Sequence, residues 1–220
     1  WSQDYLVEGS IIAKWSDQMR QGKTLWSVFF AGIVAFFSFF MAPAALADTG
    51  PDAEGGAPDG ELYVIGTDTT FAPFEFRDPS GELVGIDIDL MKAIAEDQGF
   101  RVEFRSMGFN AALQALSSNQ VDGVIAGAGI TEERQEIYDF SDPYFTGELT
   151  IAALEGSNIS GWEDLEGESV AVKTGSLSEE WAREMQEEYD FDINALDQTT
   201  TMVESVKSGH DAALVDDLPI

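Results

Sequence analysis

The chain contains no cysteine, a single histidine (His210) and few basic residues: 11 Lys plus Arg stand against 41 Asp plus Glu, a formal net charge of -30 over 220 residues. Each scarcity removes a class of chemistry. Without thiols there is no disulfide, thiol nucleophile, Cys-ligated zinc or lipid attached through an N-terminal Cys. One histidine leaves no His-based metal centre and no catalytic triad, and His210, in a Ser-Gly-His-Asp turn, reads as a surface residue. No metal and no cofactor is therefore expected. A polyanion cannot offer phosphates a basic face, which excludes nucleic acid and disfavours anionic membrane surfaces. The acid excess reads as a solvated surface. What is present is an apolar fraction of 44%, ordinary for a globular protein.

The first 47 residues stand apart from the rest. Arg20 and Lys23 precede an apolar run over 25–41, broken only by Ser27, Gly32 and Ser38; Pro43 and then Ala45-Leu46-Ala47 follow. That order predicts a secretory leader over 19–47 cleaved before Asp48, since the run is short for a membrane span and ends in an A-x-A site. Residues 1–18 do not fit a leader and read as an upstream extension, with Met19 as the start. Residues 48–60, rich in Gly, Pro, Ala and acid, read as a flexible spacer.

From residue 61 strand and helix patterns alternate. Short β-branched runs predict strands at 62–67, 101–105 and 121–126, and apolar spacing predicts helices at 87–98, 111–118 and 131–137. An extended segment at 148–154 leads into a second unit with strands at 169–172, 193–196 and 212–215 and helices at 181–189 and 202–208. This is an α/β class with a largely parallel sheet.

In open α/β sheets, ligands bind beyond the carboxyl ends of the strands. Here those ends carry polar, glycine or aromatic clusters: Thr67 through Phe76, Ala126 through Arg134, Lys173-Thr174-Gly175-Ser176 and Asp216-Asp217. Together they suit an amino acid zwitterion. Arg134 offers a planar fork for a carboxylate, Asp217 or Asp216 a partner for an ammonium, and Phe71 and Phe109 flat apolar walls. Backbone N–H groups of the Thr-Gly-Ser turn favour an anion. Phe74 and Phe76 are expected in the core. Asp87 and Asp89 lack the rest of a calcium loop and read as helix-start acids.

The chain over 61–220 resembles the family 3 extracellular solute-binding proteins, the polar amino acid receptors of ABC importers. Four stretches carry the resemblance: Gly66 through Phe76, Gly85-Ile86-Asp87-Ile88-Asp89-Leu90, Ala126 through Arg134, and Asp139-Phe140-Ser141-Asp142-Pro143-Tyr144. It implies a two-lobe, type II periplasmic-binding-protein-like fold with lobe 1 at 61–147 and a first hinge crossing plus lobe 2 at 148–220. The second crossing and the C-terminal return to lobe 1 are missing from this stretch, so lobe 1 is expected to be incomplete.

The resemblance also implies roles. Arg134 would clamp the ligand carboxylate and Phe71 and Phe109 would enclose the side chain, with Asp68 reading its polar end. The Gly127 carbonyl would meet the ammonium. Lys173, Thr174 and Ser176 would form the lobe 2 turn, and Asp217 would be the ammonium acid, with Asp216 as the fallback. Gly129 stands where the family usually has a hydroxyl, and Leu177 at a position that is often small. The implied activity is non-enzymatic: a monomer that captures a polar amino acid, glutamine-like on the Asp68, Lys173 and Phe pattern, outside the cytoplasm and delivers it to an ABC permease. A fusion to its own permease, a sensor domain, or a dehydratase using Glu75 as its acid are the alternatives.

Overall fold

The computed structural model describes residues 6–13 and 53–218; the leader stretch 19–47 lies outside them. In chain order the strands and helices are β1 (Leu6–Ala13), β2 (Ala53–Gly56), β3 (Leu62–Thr67), β4 (Thr70–Phe71), β5 (Glu75–Arg77), β6 (Leu83–Val84), α1 (Ile86–Gln98), β7 (Arg101–Ser106), α2 (Phe109–Ser117), β8 (Gly123–Gly129), α3 (Glu132–Gln135), β9 (Asp139–Phe140), β10 (Phe145–Ala153), β11 (Ser169–Lys173), α4 (Leu177–Tyr189), β12 (Asp192–Leu196), α5 (Thr199–Ser208) and β13 (Ala213–Leu218).

One sheet of ten strands carries the architecture, in the order β12-β11-β13-β10-β1-β8-β3-β7-β2, with β9 beside β1; β4, β5 and β6 form a small separate sheet. Its two wings are α/β units. β3 pairs in parallel with β7 and β8 in the first, and β11 with β12 and β13 in the second. Between the wings run β10, antiparallel to β13, and β1, antiparallel to both β10 and β8. This is the expected α/β, two-lobe type II architecture.

The period-2 alternation of the strands explains how helices cover both faces. Val124, Ala126 and Ala128 of β8 pack with Phe109, Ala112, Leu113 and Leu116 of α2, while Ile125 turns to the other face and joins Ile88, Met91 and Ala95 of α1. Lobe 2 repeats the device. Val170, Val172, Ala213 and Val215 face Ala182 of α4, and Ala171 and Leu214 face Met202 and Val206 of α5. Each fully buried Leu, Ile or Val contributes about 1.5–3 kcal/mol, so these four clusters hold the lobes rigid. Gly99, at φ 79, ends α1 in the left-handed region that a side chain disfavours.

Two segments differ from the sequence reading. Ala53–Gly56, inside the stretch read as a flexible spacer, is the edge strand of lobe 1, paired antiparallel with β7 from Ala53↔Phe104 to Gly56↔Arg101. Its glycines permit this. A Cβ at Gly55 would lie 2.5 Å from the Lys92 side chain, and one at Gly56 would lie 2.2 Å from the Phe100 carbonyl oxygen. Leu6–Ala13, inside the stretch read as an upstream extension, lies within the sheet between the lobes.

Candidate functional site

The carboxyl ends of β8, β11 and β13 converge with β4 and the starts of α2 and α4 on one cavity. It is lined by Phe71, Phe109, Ala126, Gly127, Gly129, Arg134, Lys173, Ser176, Leu177, Asp216 and Asp217. Eight of the ten residues singled out from sequence therefore border one space. The other two lie beside it. Asp68 is buried and paired with Lys173, and Thr174 opens onto a neighbouring hollow with Asn110 and Asp197.

Arg134 is placed by its own short helix. The Thr131 hydroxyl caps α3 by accepting from the Arg134 N–H at 3.1 Å. The guanidinium donates from Nη1 to the Gly129 carbonyl at 2.8 Å and from Nη2 to the Gly175 carbonyl at 3.0 Å. It lies 5.6 Å from the centre of the Phe109 ring. A guanidinium has five N–H donors, so beyond these two bonds three have no partner among the described residues. Burial lowers the Arg134 pKa, opposed by acids including Glu180 and Asp217.

Phe71 forms the facing wall, 5% exposed. It stacks on Phe74 at 5.5 Å, and Phe74 meets Phe145 edge-on at 4.8 Å. Phe74 is thus core, as expected, while Phe76 is only half-buried. Gly127 makes the wall possible. Its φ is +54, and a Cβ there would stand 2.6 Å from the Phe71 ring. Its N–H donates at 2.8 Å to Asp87, whose other oxygen accepts from the Tyr144 hydroxyl at 2.8 Å. Asp87 is therefore more than a helix-start acid: it is fully buried and fixes the glycine beneath the cavity. Asp89 stays exposed in the first turn of α1.

Charges meet at the far end. The Lys173 ammonium is 2.6 Å from Asp68, 3.4 Å from the Thr199 hydroxyl and 4.7 Å from the centre of the Phe71 ring. Burial pushes the Asp68 carboxyl up, but Lys173 and hydrogen bonds from Thr69 and Thr70 outweigh it and hold the pKa below the ordinary value. At Asp216 and Asp217 burial outweighs the favourable partners, namely Lys173 for both, Arg134 for Asp217 and the Asp217 N–H that donates to Asp216 at 2.9 Å. Burial raises Asp216 to about 6, and burial with the neighbouring Asp216 charge raises Asp217 to about 7. One oxygen on each makes no hydrogen bond among the described residues.

The Thr-Gly-Ser turn does not offer the anion site read from sequence. The Thr174 N–H donates to Leu196, the Ser176 N–H to Lys173 and the Gly175 N–H to Glu179. The Ser176 hydroxyl caps α4. The turn's donors are spent on its own geometry.

Asp216, kept only as a fallback from sequence, borders the cavity together with Asp217. Neighbours in a strand point to opposite faces, so alternation admits only one of the two; at the end of β13 both reach the space. Leu177, noted for its size, supplies apolar wall. Ala126, the first residue of the strand-end cluster read from sequence, was given no role of its own, and its small side chain lines the cavity.

Glu75 is fully buried and does not border the cavity. Burial and the adjacent Asp87 charge hold its pKa well above the carboxylate range.

Comparison with known proteins places this geometry. Residues 63–216 match the family described as bacterial extracellular solute-binding proteins, family 3. The arginine-binding extracellular protein ArtP of Bacillus subtilis is 35% identical over 175 residues, covering 79% of this chain and 68% of that protein. The lysine/arginine/ornithine-binding periplasmic protein of Escherichia coli is 33% identical over 160 residues, covering 72% of this chain and 62% of that protein. Among solved structures, an ancestral arginine-binding protein bound to arginine is 41% identical, with a TM-score of 0.68 over 71% of this chain and 70% of that one. The ancestral amino acid-binding protein AncCDT-1, a precursor of cyclohexadienyl dehydratase, is 36% identical with a TM-score of 0.67 over 72% and 70%. The chain thus spans roughly two thirds of the length of these relatives.

Proposed function

Because the chain belongs to the bacterial extracellular solute-binding proteins of family 3, we propose that it captures a polar amino acid between its lobes outside the cytoplasm, as a monomer, and passes it unchanged to the permease of an ABC importer. Export by a leader cleaved before Asp48 is part of this reading. Among the described residues no helix is long and apolar enough to cross a membrane.

The observation that carries it is the pairing of Arg134 and Asp217 across one cavity walled by Phe71 and Phe109. The free N–H groups of Arg134 fit a carboxylate. Asp217, raised to about 7 by burial and by Asp216, is an acid short of a cation. A bound ammonium would supply one, and the Gly127 carbonyl would share it.

The ligand side chain would extend toward Lys173 and Asp68. That acid is already neutralised, which favours an uncharged amide such as glutamine over a cationic side chain. A cationic ligand is the second reading, supported by Asp216, which remains unpaired after Asp217 has taken the ammonium. Two similar proteins named above are arginine binders, which also supports it. Calorimetric titration with glutamine, arginine, lysine, histidine and glutamate separates the two; failure of all five to bind overturns the amino acid reading. The dehydratase alternative, raised by the likeness to AncCDT-1, is tested by turnover of prephenate-type compounds. Glu75, the acid that alternative invokes, is not among the residues lining the cavity.

A further inference from the structure

Two fully buried acids, Glu75 of β5 and Asp87 of α1, lie beneath the cavity. The backbone holds them side by side. The Ile86 and Asp87 N–H groups donate to the Pro73 and Phe74 carbonyls at 3.0 and 2.9 Å, which clamps the first turn of α1 onto the chain just before Glu75. Gly85 permits the clamp. Its φ is +132, and a Cβ there would stand 2.1 Å from the Phe74 carbonyl oxygen and 3.0 Å from the Glu75 nitrogen.

Asp87 has a donor on each oxygen, the Gly127 N–H on one and the Tyr144 hydroxyl on the other, both at 2.8 Å. Neither oxygen of Glu75 has a donor among the described residues. The side chain within its hydrogen-bonding reach is Asp87, itself an acceptor, so a bond forms only with a proton between them. An ionised Glu75 would be a desolvated charge beside a second carboxylate. A protonated Glu75 has an O–H to give, and the lone pairs left on Asp87 can accept it.

We propose that Glu75 is a neutral acid whose proton is donated to Asp87, and that this pair is the positioning device of the cavity floor, fixing Gly127 and, through Tyr144, the start of β10.

The surrounding charges agree. Asp87 and Asp68 oppose ionisation of Glu75; Lys173 favours it but already lies 2.6 Å from Asp68. Burial and the Asp87 charge push the Tyr144 hydroxyl up, so it remains a donor. Tyr144 adjoins Phe145, the first residue of β10, whose ring meets Phe74 at 4.8 Å. One acid pair thus joins β5, α1, the end of β8 and the crossing strand. Its part in binding rests on the reading that the Gly127 carbonyl meets a ligand ammonium. With its N–H pinned, Gly127 keeps its positive φ and the room it leaves for Phe71.

The test uses the full 220-residue chain, and its first part needs no ligand. With 13C in the glutamate carboxyls, one resonance should hold the chemical shift of a protonated acid at about pH 7 and be absent from Glu75→Gln. Stability from the raised Glu75 is fully present below its ordinary value of 4.5 and is lost as pH rises toward the folded value. The parent should therefore lose Tm relative to Glu75→Gln between about pH 5 and about pH 9. The Gly127 amide should exchange with solvent faster in Glu75→Leu, which gives Asp87 no donor, and Glu75→Gln should restore its protection. The second part titrates glutamine and arginine. Glu75→Leu should bind the preferred one about tenfold more weakly or worse, and Glu75→Gln, whose amide N–H replaces the acid O–H, should recover most of that loss. A parent spectrum without a protonated glutamate, or one that Glu75→Gln leaves unchanged, overturns the shared proton. Gly127 exchange equal in the parent and Glu75→Leu, or Glu75→Gln binding no better than Glu75→Leu, overturns the positioning role. A parent that binds neither amino acid counts against that reading of the cavity alone, since the spectrum, the melting trend and the Gly127 exchange decide the pair without ligand.

Discussion

The Lys173 ammonium lies 2.6 Å from the Asp68 carboxylate across the two lobes, with both side chains almost fully buried. Removing one member of a buried pair leaves the other charge uncompensated, at a cost of about 3–5 kcal/mol. Lys173→Met should therefore lower Tm clearly and raise the Asp68 pKa. It should also shift preference from glutamine toward arginine, because the freed acid then faces the ligand side chain. Parallel titrations of the two amino acids check it; an unaltered ratio would show that Lys173 does not read the side chain.

Arg134 should dominate carboxylate binding. Arg134→Ala should weaken the preferred ligand by about 2–5 kcal/mol, a thirtyfold to several-thousandfold loss at about 1.4 kcal/mol per decade. Arg134→Lys should recover only part, since an ammonium lacks the fork. Asp217→Asn should cost less than Arg134→Ala, because the Gly127 carbonyl would share the ammonium in the proposed complex. Calorimetry on the three variants measures the ranking.

The raised acids predict opposite pH trends for stability and binding. Asp216 and Asp217 have folded pKa values of about 6 and about 7, above their ordinary 3.8. Their contribution to ligand-free stability is fully present below the unfolded value and is lost as pH rises from about 4 through 7. A ligand ammonium needs the ionised carboxylates, so affinity should rise between pH 5 and pH 8. The ligand-induced increase in Tm should be larger at pH 8 than at pH 5, and Asp217→Asn should flatten most of that trend.

Gly127→Ala should damage the cavity although it adds one methyl group. The new Cβ would lie 2.6 and 3.0 Å from two Phe71 ring atoms, on a backbone at φ +54. Backbone strain alone costs about 1–3 kcal/mol. Phe71 would have to move, and affinity should fall at least about tenfold. Affinity equal to the parent would mean that Phe71 is not a wall of the occupied site.

Secreted protein should begin at or near Asp48, which terminal sequencing reads directly. Such a chain lacks β1, and it should melt below the uncleaved chain because Ile12 and both pairings of β1 are gone. A mature chain that retains residues 25–41 would refute the leader.

Most of the fold was legible in the sequence because its elements are local and periodic. Ile88, Met91 and Ala95 specify the buried face of α1, and Val170 and Val172 the inward face of β11, without reference to distant residues. That Arg134, Phe71 and Phe109 border one cavity was legible for another reason: at the ends of elements such side chains have few uses beyond walling or charging a cavity.

What only the tertiary structure decided depends on who the neighbour is. Nothing near Gly175 in a pattern of Thr, Gly and Ser says that Glu179 will take its N–H. Nothing near Asp87 says that it will fix Gly127, 40 positions away. Leu6–Ala13 is the clearest case: a strand needs its pairing edges as well as its own residues, and those edges lie more than a hundred positions along the chain in β8 and β10. Periodicity identifies the faces that will be buried; the hydrogen-bond partner of each polar group exists only once the chain has closed on itself.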